Sequence, residues 1–79
     1  MPTPTKEADW ADRARRYLKA EMKRADVTYA DMAERLKKHG LEETEASITS
    51  KLGRGTFAAT FFLACLAALE LQGIRLEDL

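Results

Sequence analysis

Seventy-nine residues, 46% hydrophobic and 33% charged, allow one small globular domain and exclude a disordered chain. A single cysteine excludes an internal disulfide and a cysteine-based zinc cluster, and it fits a reducing compartment. Thirteen Lys and Arg balance thirteen Asp and Glu, which weighs against a nucleic-acid binder by sum. Ten of the thirteen cations nevertheless fall before Gly40, so the neutral chain can carry a basic face.

The opening MPTPTKEAD lacks the apolar stretch of a signal peptide, which points to the cytoplasm. Pro2 and Pro4 oppose helix, so residues 1–7 are expected to be flexible and residues 8–79 to form the domain. The first helix is expected from about Ala8 to Arg24, capped by Asp9 or Thr5. On its wheel Trp10, Ala14, Tyr17, Leu18, Met22 and Ala25 share an apolar face. Arg13, Arg16, Lys19, Lys23 and Arg24 line the other side, as a solvated surface or a phosphate-contacting flank. Glu21 projects into the apolar arc. A carboxylate there must reach the edge or find a partner, and the expected partner is Arg54 or Lys51 from the third helix.

Thr28 with Asp31 is close to a capping box, and it starts a second helix from Tyr29 to about Lys38 that Gly40 ends. Met32, Ala33 and Leu36 point inward. Thr44 is a cap for a third, polar helix, with Glu45 favourable at the positive end of the helix dipole. Ile48 and Leu52 face inward, Ser47, Ser50 and Arg54 point away, and Lys51 sits at the edge. Gly53 and Gly55 close this helix.

The fourth helix, about Phe57 to Leu71, carries no charge between Phe57 and Leu69. Phe61, Phe62, Cys65, Leu66 and Leu69 form an arc for the domain's own core. Thr60, Leu63, Ala64, Ala67 and Leu71 form a second arc at spacings of 3, 4, 7 and 11 residues. A helix apolar all round is buried on both sides, so either the tail or a second subunit covers the second arc, and a homodimer is the expected solution. At ~1.5 Å per residue the helix is too short to cross a bilayer. Gln72-Gly73 breaks it, and Ile74, Leu76 and Leu79 are offered for packing.

No enzyme, metal or cofactor chemistry is expected. His39 sits at a helix end as an exposed cation, Cys65 is a small buried hydrophobe, and Glu42, Glu43 and Glu45 form a solvated cap. No cluster has metal-ligand spacing and no glycine loop follows a strand. The organised polar surface is the third helix. A capped second helix, a turn and a short polar third helix are the ingredients of a helix-turn-helix module, in which exposed side chains meet base edges in the major groove.

The order of these parts resembles the phage-repressor/Cro type of helix-turn-helix domain. VTYADMAERL from Val27 to Leu36 looks like the family's second-helix segment, with Ala33 at its small buried position. ITSKLGRG from Ile48 to Gly55 looks like the third helix and its exit. Leu66-Ala-Ala-Leu69 and Ile74 to Leu79 are similar to the fourth helix and closing segment, so the likeness covers about Trp10 to Leu79. The run KLGRGTFAATFFLACL also resembles a small bacterial domain family of unknown function, itself repressor-like.

The resemblance implies an all-α, compact four- to five-helix bundle of lambda-repressor-like helix-turn-helix type. It implies bases read by Ser47, Ser50 and Lys51, and phosphates near Tyr29 and Arg54. Two departures stand out. The link from Leu36 to Ile48 is longer than the family's tight turn and holds three glutamates, which phosphates would repel. Gly53 also replaces the acidic residue that many relatives pair with a helix-one arginine, so Glu21 and Arg54 are expected as the reversed pair. Two readings follow. One is a dimeric regulator of transcription that binds double-stranded DNA. The other is a protein-interaction module or antitoxin-like partner that keeps the fold without sequence-specific DNA binding.

Overall fold

The chain builds four α-helices in sequence, α1 (Glu7–Arg24), α2 (Tyr29–Lys37), α3 (Glu45–Arg54) and α4 (Ala59–Ala68), followed by a short 3-10 turn at Leu76–Asp78. This computed structural model describes residues 6–79. Among them there is no strand, and the architecture is an all-α bundle. Pro2, Pro4 and the candidate cap Thr5 lie outside the described residues. The other candidate cap, Asp9, falls inside the first turn, where its charge meets the helix dipole, and Lys6 stands at the N-cap without a side-chain bond. Helix α1 therefore starts one residue before the expected domain boundary.

The core follows the helical periods. Leu18 and Met22 from α1, Met32, Ala33 and Leu36 from α2, Ile48 and Leu52 from α3, and Phe61, Cys65, Leu66 and Ala68 from α4 are all buried. Helix α2 packs on both α3 and α4, and α1 closes over α3 and α4. Trp10, expected on the apolar face, is 37% exposed, because α1 begins to pack only from its second turn.

Three helices end in the same way. After α1, Asp26 takes a left-handed conformation, and the N–H groups of Asp26 and Val27 donate to Lys23 and Met22 carbonyls. After α2, Gly40 and Leu41 repeat this with Lys37 and Leu36, and after α4, Glu70 and Leu71 repeat it with Ala67 and Leu66. These are Schellman closures, which satisfy carbonyls that a helix end leaves open. Each turns an apolar residue, Val27, Leu41 or Leu71, back onto the core beside a buried Met22, Leu36 or Leu66. The closure at Glu70 ends α4 at Ala68, before the Gln72-Gly73 break expected from sequence. At the other end, the extended backbone of Ala58 starts α4 at Ala59 and leaves Phe57 outside the helix.

The link from α3 to α4 depends on Gly55, which is buried and left-handed at φ 76°. A Cβ there would lie 3.0 Å from Arg15 Cδ and 3.6 Å from the Ala11 carbonyl oxygen. The end of α3 thus rests on the first half of α1. The C-terminal tail crosses to α1 as well: Ile74 packs on the core, and Arg13 Nη1 donates to the Leu79 carbonyl at 3.1 Å. Leu76 does not pack and is exposed.

Two substitutions separate these left-handed positions. Glu70→Gly relieves a side chain held at φ 61° and should raise the unfolding free energy by up to ~1 kcal/mol. Gly55→Ala should lower it by roughly 1–2 kcal/mol, since it adds a Cβ in the left-handed region against α1. Urea unfolding midpoints of the two variants, compared with the parent chain, check both signs.

Candidate functional site

Helix α3 is fixed at its start by a complete capping box. Thr44 Oγ1 accepts from the Ser47 N–H at 3.0 Å, and Ser47 Oγ accepts from the Thr44 N–H at 2.9 Å. With Ile48 and Leu52 buried, the opposite side of α3 presents Ala46, Thr49, Ser50, Gly53 and Arg54 to solvent. Arg54 Nη1 donates to Ser50 Oγ at 2.8 Å, one turn back along that side. Ser50 and Arg54 therefore sit together on the exposed surface, as the periodicity indicated.

Ser47 and Lys51 do not join them. Both are half-buried, and both donate to Glu43 from the link between α2 and α3: Ser47 Oγ to Oε1 at 2.6 Å and Lys51 Nζ to Oε2 at 2.5 Å. The Glu43 side chain is only 9% exposed. The expectation that all three glutamates form a solvated cap is corrected here, since only Glu42 and Glu45 are exposed. The reason is the position of Thr44. A residue just before an N-cap lies over the first turns of the helix, within reach of the side chains at 47 and 51. Thr44 as cap and the one-turn spacing of Ser47 and Lys51 were the signals in the sequence that could have found this contact.

The Lys51 ammonium also stands 4.8 Å from the centroid of the Phe61 ring, so a cation–π contact joins α3 to α4. Burial alone would raise the Glu43 pKa. The hydrogen bonds from Lys51 and Ser47, with the Lys51 charge, outweigh it and hold the carboxyl below its ordinary value. Cys65 is buried near this pair. Burial, reinforced by the Glu43 charge, pushes its thiol up to about 12, which leaves it protonated at neutral pH.

The expected ion pair between Glu21 and Arg54 is not formed. Glu21 pairs with Arg24 of its own helix at 2.6 Å, which satisfies the carboxylate in the apolar arc. Arg54 precedes Gly55, which rests on Ala11 and Arg15. Glu21 lies six residues beyond Arg15, roughly 9 Å further along α1. Lys51, the other candidate partner, is bound to Glu43.

Tyr29 is half-buried at the start of α2. It helps line an open groove of about 390 Å³ with Lys19, Met22, Lys23, Asp26, Val27 and Thr28. Among the described residues neither Lys19 nor Lys23 forms an ion pair, whereas Arg15, Arg16, Arg24 and Lys37 do. Two cations one turn apart, neither in an ion pair among the described residues, thus flank the first turn of α2. Asp26 on the same wall, and Asp31 in the α2 capping box, oppose them in part.

Helix α4 leaves one strip uncovered. Thr60 and Ala67 are exposed, and Leu63 between them is 61% exposed. Ala64 and Leu71, expected on the same strip, pack instead against the chain's own core. Leu71 lies there because α4 has already ended and turned back. Arg35 Nη1 adds a cap to this end by donating to the Ala68 carbonyl at 2.9 Å. No helix among the described residues is long and apolar enough to cross a membrane.

The Glu43 contact has a pH signature. A carboxyl whose pKa is depressed by folding adds stability that is present above its unfolded value, ~4.3 for glutamate, and is lost as pH falls through the folded value. Glu43→Gln should therefore cost on the order of 1–2 kcal/mol at neutral pH. That difference from the parent chain should shrink as pH falls below about 4. Urea unfolding at pH 7 and at pH 3 measures both values.

Residues 10–74 match a family model described as Domain of unknown function (DUF6471). No curated protein and no solved structure matches the chain.

Proposed function

We propose that this chain, which belongs to the DUF6471 family, a domain of unknown function, is a DNA-binding regulator of repressor-like helix-turn-helix type. It acts as a homodimer in the cytoplasm. The observation that carries this reading is the outer face of α3. Ala46, Thr49, Ser50 and Gly53 recur at one-turn spacing, all exposed, with Arg54 at the end of the helix. A face this small and polar, on a helix capped and braced by α2, suits close approach to the floor of a major groove. Ser50 and Arg54 are the base-contacting residues in this reading. Lys19, Lys23 and Tyr29 contact phosphates from the groove beside α2. Ser47 and Lys51 lie on the same helix but are half-buried and held by Glu43.

The dimer is assigned to α4. Its strip is uncharged, with one large side chain, Leu63, set between the smaller Thr60 and Ala67. About a two-fold axis that strip offers itself both a projecting residue and the space to receive it. The tail, which could have covered Leu63, runs to α1 instead. A pair joined through α4 would set two α3 faces at a fixed separation, and ~34 Å matches successive half-sites on one side of duplex DNA.

A protein-interaction module or antitoxin-like partner is the second reading. What favours it is the acidic link: Glu43 neutralises Lys51, and Glu42 and Glu45 stand exposed near the start of α3. A peptide partner with basic side chains would suit that end of the helix better than phosphate would.

Selection of duplexes from a random pool, followed by fluorescence anisotropy on the enriched sequence, decides between them. DNA binding predicts enrichment, and Arg54→Ala should weaken the selected duplex by ~1–3 kcal/mol. Replacing Lys19 and Lys23 with Ala should weaken all duplexes alike and flatten the salt dependence. An unenriched pool with no response to these changes refutes it. Leu63→Glu should halve the mass seen by light scattering while leaving the helical circular dichroism unchanged. An unchanged mass would exclude the α4 dimer.

A further inference from the structure

Glu43 lies in the link between α2 and α3, and its two oxygens take up the donors of two α3 side chains on the helix proposed to bind nucleic acid. A carboxylate held by an ammonium and a hydroxyl is matched in charge and geometry to a phosphate oxygen held by the same pair.

Each donor also has a contact other than Glu43. Ser47 Oγ is fixed by the Thr44 N–H, and its hydroxyl also lies 3.0 Å from the Thr44 carbonyl, an alternative acceptor. Lys51 is held over Phe61. The Lys51 side chain is 30% exposed while that of Glu43 is 9% exposed, so of the two partners Lys51 is the more open to solvent. No other acid in the link makes such a contact, and Glu42 and Glu45 face solvent.

We propose that Lys51 and Ser47 form an anion-binding site on α3 which Glu43 occupies in the free chain, so that a phosphate oxygen of a bound nucleic acid competes with Glu43 for the same two donors. The inference rests on the DNA-binding reading for its ligand, but the site itself is tested without DNA. In this account Glu43 acts as an internal competitor. It lowers binding to any duplex and leaves the contacts of Ser50 and Arg54 to select among sequences.

The test is NMR titration of inorganic phosphate into ¹⁵N-labelled parent chain, Glu43→Gln and the double variant Glu43→Gln/Lys51→Met, each first checked for folding by circular dichroism. Glu43→Asp, which retracts the carboxylate by one methylene, serves in the same comparison if the glutamine variant does not fold. The proposal predicts saturable shifts at Ser47 and Lys51 in Glu43→Gln, about tenfold tighter than in the parent chain and abolished by Lys51→Met. No tightening at those two residues overturns it, whatever happens with DNA.

On duplex DNA, Glu43→Gln should then bind about tenfold tighter than the parent, with a log–log salt slope steeper by ~0.9, the signature of one added phosphate contact. Lys51→Met should cost little in the parent chain and remove the gain in Glu43→Gln. Equal costs of Lys51→Met in the two backgrounds overturn the competition. Phosphate competition without duplex binding by any variant supports the internally occupied site and refutes the DNA reading. Duplex binding without phosphate shifts at Ser47 and Lys51 does the reverse.

Discussion

A carboxylate taken almost wholly out of water must be paired, and Glu43 is paired twice, by Lys51 and Ser47. That requirement ties the link between α2 and α3 to the middle of α3. Lys51, over the Phe61 ring, carries the tie onward to α4. The link, α3 and α4 are thereby tied together by side chains as well as by the backbone. The interaction also divides the polar residues of α3 into two sets. Ser50 and Arg54 remain on the surface, and Ser47 and Lys51 are engaged within the chain.

Helix α4 meets α3 through the Phe61 ring at Lys51. Phe61 and Cys65 are buried in the core, and the three Schellman closures return Val27, Leu41 and Leu71 to the same core. A chain this small has little apolar surface to spend, yet Leu63 on α4 and Leu76 in the tail both stand exposed. Helix α4 thus has a structural role on one side and an uncovered strip on the other. If the strip is the seat of a second copy, its contribution to function is geometric, since it fixes where two α3 faces lie.

Much of this was legible in the sequence. Helical period placed Leu18, Met32, Leu36, Ile48 and Leu52 in the core. The capping residues Thr28 and Thr44 marked the starts of α2 and α3, and Gly40 and Gly55 their ends. These are local signals, set by backbone bonding within a few residues. What was not legible was the pairing of charges. Glu21 had two plausible cations across the core and took Arg24 on its own helix, because a partner one turn away needs no tertiary alignment. Lys51 was bound by an acid eight residues earlier, across a cap, where composition had suggested only a solvated run. Helix α4 is also shorter than its apolar run suggests, since Glu70 takes a left-handed position that favours glycine and ends the helix before Gly73.

The central claim is that the Glu43 carboxylate is ionised and bound to Lys51 and Ser47 in the folded chain. It is tested most directly by following the side-chain carboxyl ¹³C resonance of Glu43 through an acid titration of the native protein. The account predicts a midpoint below the ordinary glutamate value, with the Ser47 and Lys51 amide resonances moving in the same step. A midpoint at or above the ordinary value, or a titration that leaves Ser47 and Lys51 unmoved, would contradict it.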